Sequence, residues 1–285
     1  MVIHTLGKKY VVIKYCSSNS RMERFLCKEE SDGKCYTVVR IKDRDLITKT
    51  MEFLIREMEN KNFTDLSCCF AGEEYFHVVL SYTEGISLQE KLENEVCSLE
   101  ERLTVGGHLL ERIMLLDMSD YFLQECLTAE HIVVLPDLSV AFTYELNTIF
   151  QYDKYDFRQV RRRLLQVMET LFAGELKKKA LPPLNHFLDV LRKTEWKEVV
   201  EIFRQYREMC KEVLSMTPEE MELPKTWVFL VWERLKRYIA PLKKVLALLL
   251  FLLAVFYLIH TVQKSVEISA EKKVFDSIGT LEIRD

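Results

Sequence analysis

Short β-forming runs fill the first 82 residues, and helical periodicity fills most of the remaining chain. Residues 9–15 are β-branched and aromatic. Residues 21–28 and 35–42 flank Ser31-Asp32-Gly33-Lys34, and Asp-Gly between two such runs signals a hairpin turn. Over 46–60 the period changes. Ile47, Met51, Leu54, Ile55 and Met58 recur at steps of three and four, which predicts a helix with those side chains on one face. Two more runs, 66–71 and 75–82, are joined by Gly72-Glu73-Glu74. The order is three strands, one helix, two strands.

Helices dominate from residue 87 onward. Ser87 is an N-cap residue for a helix over 88–92, and Ser98-Leu99-Glu100-Glu101 is a capping box opening a long helix to about Met118. Residues 126–134, with Ile132, Val133 and Val134, and residues 140–144 lie either side of a turn at Pro136-Asp137-Leu138-Ser139. They predict a small hairpin lodged among helices. Further helices are predicted over 155–173, 183–192 and 196–214, with Pro182-Pro183 marking a break.

The longest apolar run is different in kind. Residues 245–259 are uninterruptedly apolar, and His260, Thr261 and Val262 extend the run to Gln263. Eighteen residues at 1.5 Å each give about 27 Å, close to the hydrocarbon thickness of a bilayer. Lys243 and Lys244 stand before the run and Lys264 after it. Tyr238 and Tyr257 fall near the expected interfaces, and Leu250 falls within the span. No polar face interrupts 245–259, unlike an amphipathic core helix. The expectation is a single-pass anchor in the cell membrane. Six basic residues lie in 225–244 and three in the twenty residues after Val262, so the N-terminal side is expected in the cytoplasm. All eight cysteines precede the run and none forms a CxxC, which excludes zinc and thioredoxin-like patterns and fits reduced, buried thiols.

Composition narrows the function classes. A net charge of −4, with no basic patch interleaved with aromatics, excludes nucleic acid as the expected partner. Arg161-Arg162-Arg163 points in several directions on a helix and reads as a solvated face. Only eight glycines occur in 285 residues, a scarcity that bears on nucleotide binding.

In this order of elements, the chain resembles a protein kinase over roughly residues 9–215. Residues 82–92 resemble the hinge and its following helix. Residues 126–134 and 140–144 resemble the catalytic-loop hairpin and the strand into the metal-binding motif, and Asp156-Phe157 the start of the helix beneath it. The resemblance implies a phosphate-covering glycine loop, a lysine, a base and metal ligands. Between the first two strands, residues 15–21 contain no glycine, so backbone lacks the freedom to approach phosphates. Val39 or Arg40 stands where the family places its lysine; Arg40 on a strand there would be able to hold a phosphate, but an exposed strand residue is the leading reading. Against the family's His-Arg-Asp-Leu-Lys-Pro-Glu-Asn, residues 124–131 read Gln-Glu-Cys-Leu-Thr-Ala-Glu-His. Cys126 replaces the base and His131 a metal ligand. Tyr144 replaces the metal-binding aspartate, with Glu145 one position late, and tyrosine is a poor Mg²⁺ ligand beside a carboxylate. About eight residues separate Leu146 from the next helix, too few for a peptide-binding activation segment. Cys126 and His131 lack a third orienting group for nucleophilic chemistry.

The resulting expectation is α+β: a kinase-like two-lobed domain, with a five-stranded N-lobe carrying one helix (1–84) and a helical C-lobe (85–222). A basic, aromatic juxtamembrane segment (223–244), the transmembrane helix (245–262) and a short extracytoplasmic tail (263–285) complete the chain. Within 226–238, Trp227, Leu230, Val231, Leu235 and Tyr238 would form an apolar helical face, either lying on the inner leaflet or closing the body as its last core helix; residues 274–283 have strand character. The expected protein is a pseudokinase, not an enzyme, without catalytic residues or cofactor. It serves as a membrane-anchored scaffold whose partners are the membrane, other subunits of a membrane complex and, for an oligomer, a second copy. This layout is similar to that of the EssB/YukC component of type VII secretion systems in Gram-positive bacteria, although in that family a large extracytoplasmic domain comes after the span. A signalling scaffold beside another cell-envelope complex, and an atypical phosphoryl- or nucleotidyl-transferase with a rearranged site, are the alternatives.

Overall fold

The computed structural model describes residues 1–223 except Leu6, Glu73 and Lys197, together with residues 249–262 and Lys264. The chain divides into two units, Met1–Leu223 and Pro224–Asp285.

The first unit begins with a curled antiparallel sheet. Its strands are β1 (Val2–His4), β2 (Lys9–Ser18), β3 (Met22–Glu29), β4 (Cys35–Ile41), β5 (Leu66–Ala71) and β6 (Phe76–Ser81), with α1 (Arg44–Glu59) between β4 and β5. The spatial order is β1-β2-β3-β4-β6-β5. The sequence predicts five strands; the sixth is β1, which pairs with residues 9–11. Three residues with one buried side chain, Ile3, are too short to show a period.

Both faces of this sheet are buried, and parity along each strand decides which side chains reach which face. Met22, Val39, Ile41, Val78 and Leu80 join the main core with the helices. Ile3, Tyr10, Phe25, Cys27, Val38 and Val79 form a second, smaller core on the other face. Helix α1 starts at Asp43, whose carboxylate accepts from the N–H groups of Asp45 and Leu46. Its buried face is Leu46, Thr50, Phe53, Leu54 and Glu57, while Met51, Ile55 and Met58 are exposed, contrary to the apolar spacing. Two polar residues are buried because each has a partner. Thr50 Oγ1 donates to the Leu46 carbonyl at 2.7 Å, and Glu57 accepts from the Ser119 N–H at 3.3 Å.

The remainder of the unit holds β7 (Ile86–Ser87), α2 (Leu88–Asn94), α3 (Leu99–Leu116), α4 (Asp120–Cys126), β8 (Ile132–Val134) and β9 (Val140–Phe142). Next come a 3₁₀ turn (Ile149–Lys154), α5 (Phe157–Leu176), α6 (Pro182–Lys193) and α7 (Val199–Ser215). Strands β7, β8 and β9 form a small sheet in that order. Ser98 and Glu101 close the capping box of α3 in both directions. The expected hairpin is shorter than 126–144, because α4 takes in Cys126 as its last residue. Sheet and helices share one core. Across it, Lys49 Nζ donates to the Phe150 carbonyl and Asn60 Nδ2 to the Asp117 carbonyl, each at 2.7 Å. Phe53 stacks on Tyr152 with centroids 4.3 Å apart.

In the second unit residues 249–262 are helical with exposed side chains, Leu250 and Tyr257 among them. Among the described residues no helix is long and apolar enough to cross a membrane. The expected anchor residues Lys243 and Lys244, the first four positions of the expected span, the amphipathic stretch 226–238 and the tail strand 274–283 lie outside the described residues.

Candidate functional site

A cleft of about 370 Å³ lies between the sheet and the β8–β9 hairpin, lined by Lys14, Arg24, Leu26, Thr37, Tyr82, Glu130, His131, Tyr144 and Glu145, with Cys16 and Thr143. In the kinase-like layout this is where a nucleotide would sit, so each expected part can be placed.

The roof of the cleft is strand. β2 continues to Ser18 and β3 begins at Met22, so the Ser-rich segment expected as a loop is mostly part of β2. Register shifts between Val12 and Lys14 and between Tyr15 and Ser17 leave Ile13 and Cys16 as bulges, and bulges bend and twist a strand. The turn is closed by Asn19, whose Oδ1 accepts from the N–H groups of Arg21 and Met22, both at 2.8 Å. These amides are therefore consumed internally, not presented to a ligand.

The cation position resolves the choice between Val39 and Arg40. Val39 pairs with Arg24 across β3–β4 and is fully buried beneath the cleft. Arg40 lies on the opposite face with Phe25, pairs with Glu23 and stacks over Phe25 and Tyr75 at 5.1 and 4.6 Å. Of the two readings of Arg40, neither a phosphate ligand in the cleft nor an exposed strand residue describes it: strand parity turns it away from the cleft, and its side chain is only about one fifth exposed. The guanidinium in the cleft belongs to Arg24, one strand over. Its Nη1 lies 2.6 Å from Glu145 Oε1. Sequence reasoning missed Arg24, since only cross-strand register brings it beside the buried Val39.

The floor is built from α4 and the hairpin. Cys126 is wholly buried, its Sγ directed to the Leu123 carbonyl at 3.6 Å, and burial pushes the thiol well above its ordinary range. A thiol so placed neither accepts a substrate proton nor attacks a substrate. His131 Nδ1 donates to the Glu125 carbonyl at 2.8 Å, which leaves Nε2 facing Glu145 Oε1 at 4.0 Å. Tyr144 reaches past the cleft into the core: its hydroxyl donates to Asp65 Oδ2 at 2.9 Å, and Arg112 holds Asp65 Oδ1 at 2.6 Å. Burial, then Cys126 and Asp65, push the Tyr144 phenol well above its usual range. Leu146 keeps a left-handed backbone (φ 59°) with its side chain fully buried.

Within 147–156, Ile149 is buried and two side chains tie the segment to α4 and to itself. Thr148 Oγ1 donates to Glu125 Oε1 at 2.6 Å, and Tyr155 donates to Thr148 at 3.0 Å. Burial raises the Glu125 carboxyl above the ordinary carboxylate range, with Thr148 and His131 opposing.

A metal-bound nucleotide, which the fold family implies, does not fit these residues. It needs carboxylate and amide oxygens on the metal and a cation on the phosphates. The two positions expected from the sequence to match metal ligands hold an imidazole engaged to a carbonyl and a phenol buried against Asp65, and the cleft guanidinium is engaged by Glu145. Among the described residues no three His, Cys, Asp or Glu side chains converge as a metal site.

The structure is similar to the crystal structure of the BubR1 kinase domain, with a TM-score of 0.53 and 9% sequence identity, covering 74% of this chain and 83% of that one. At that identity the likeness establishes the fold alone, and the fold is kinase-like. No family model and no curated protein matches the chain.

Proposed function

We propose that this chain is a pseudokinase: a kinase-like body kept as an interaction module, without phosphoryl transfer, and held at a membrane by the apolar segment 245–262. The observation that carries the reading is the paired burial of Cys126 and Tyr144. Both positions that would hold charged catalytic groups are built into the core, so no side-chain rotation within the fold restores them. A cleft that has lost its chemistry while its surrounding core is continuous is what a scaffold requires, although fold by itself does not dictate function. The setting we favour is an assembly component of a membrane machine in the manner of the EssB/YukC layout, facing the cytoplasm.

The test is calorimetric titration of the detergent-solubilised full chain with Mg·ATP, beside a radiolabel transfer assay. The expected result is no heat of binding at millimolar nucleotide and no label on the chain or on a generic acceptor. Micromolar Mg·ATP affinity, or transfer that disappears on Glu145→Gln, overturns the reading.

A further inference from the structure

The cleft contains a cation and already holds an anion. Arg24 enters from β3 with its side chain about one quarter exposed, and its Nε is buried without a partner. Lys14 lines the same cleft from β2, paired in register with Leu26 two positions from Arg24. Opposite them stands Glu145. Its Oε1 lies 2.6 Å from Arg24 and 4.0 Å from His131 Nε2, while its Oε2 accepts from Asn147 Nδ2 at 2.9 Å. Glu130 is the other carboxylate at the cleft.

We infer that Glu145 is a built-in occupant of an anion site centred on Arg24, an internal contact that keeps phosphate groups out of the cleft that Lys14 also lines. Three features converge on this. Arg24 and Glu145 come from opposite sides of the cleft, 121 positions apart in sequence, so their pairing spans it. A guanidinium offers five donors in a planar fork suited to multi-oxygen anions, and Glu145 leaves the buried Nε unused. Asn147 Nδ2 donates to the carboxylate's other oxygen, so both Glu145 oxygens are engaged. The inference rests on the non-catalytic reading of the same cleft and deepens it: beyond missing catalytic groups, the site is self-filled. It involves no bond making or breaking, only exchange of one anion for another.

The experiment uses inorganic pyrophosphate with EDTA present, so that metal-dependent nucleotide binding, which tests the pseudokinase reading, does not enter. The full chain in detergent is titrated calorimetrically as wild type, Glu145→Gln, Glu145→Ala and the double variant Glu145→Gln/Arg24→Gln. Wild type is expected to bind at least tenfold more weakly than either Glu145 variant, and the double variant to lose the gain. Hydrogen exchange over α3 and α5 establishes that each variant keeps its fold. Equal affinity in wild type and both Glu145 variants, or a gain that persists without Arg24, overturns the proposal. Either result leaves the pseudokinase reading standing, since that falls only to Mg·ATP binding or turnover.

Discussion

Tyr144, aligned on the sequence with the family's metal-binding aspartate, is a core side chain. Its ring sits among Phe63, Phe122 and Phe142, and its hydroxyl gives the buried Asp65 a second donor beside Arg112. On the pseudokinase reading, placing an aspartate at this position is expected not to create a metal site. Tyr144→Asp removes a large buried side chain and sets a second carboxylate near Asp65, so the expected loss is at least about 3 kcal/mol. A fall in the thermal midpoint, with no Mg²⁺-dependent recovery, is the outcome to look for; stabilisation by Mg²⁺ would contradict it. Glu125 makes the opposite case. Its folded carboxyl is raised above the ordinary range, chiefly by burial, so folding favours its protonated form. Ionised Glu125 therefore costs stability above its folded pKa, and the cost disappears below the unfolded value of roughly 4.3. Glu125→Gln keeps an acceptor for Thr148 without the charge. The variant should melt higher than wild type at about pH 7.5, and the difference should shrink as pH falls toward roughly 4.5. A difference independent of pH would show that burial of the charge is not the cause.

Between elements, the contact of α3 with α7 depends on one missing Cβ. A Cβ at Gly106 would run into the Tyr206 hydroxyl, with Tyr206 Cζ at 2.9 Å, and that hydroxyl donates to the Leu103 carbonyl at 2.8 Å. Gly106→Ala should cost about 1–3 kcal/mol by forcing the helices apart, and adding Tyr206→Phe should recover part of it by vacating the hydroxyl's place. Additive losses in a double-mutant cycle would mean the two side chains do not compete. Elements with local signals were legible in the sequence: the capping box at Ser98, the N-cap at Ser87 and the Asp-Gly turn are decided by neighbours. The core face of α1 was not, because Thr50 and Glu57 are buried polar residues, and the partner of Glu57 lies 62 positions away. The choice of Val39 over Arg40 was hidden too. β4 is buried on both faces, with Val38 and Val39 each inaccessible, so its sequence shows no alternation to set parity. Arg24 carried no signal at all, since its partner Glu145 is joined to it only by the folded cleft.

For the whole molecule, the pseudokinase reading and the anchor reading are separable, and the anchor has its own test. Residues 249–262 present Leu250, Phe251, Phe256 and Leu258 to the outside, more than half exposed each, a continuous apolar surface that water disfavours. Within the helix the one hydroxyl of a threonine, Thr261, turns back to the Tyr257 and Leu258 carbonyls at 3.0 and 2.9 Å, so it adds little polarity. Together with 245–248 the run reaches bilayer length, with lysines at both ends. If that surface is lipid-facing, Leu250→Arg places a charge within the hydrocarbon at a cost of roughly 2.5–3.5 kcal/mol at the helix centre. The substitution leaves Met1–Leu223 untouched in sequence. The full chain should sediment with membranes and resist carbonate extraction, and Leu250→Arg should shift it largely to the extractable fraction while the cleft variants, Glu145→Gln among them, stay behind. Wild-type chain that extracts as readily as Leu250→Arg would remove the anchor, and with it the membrane setting, while leaving the kinase-like body and the proposal for its cleft untouched.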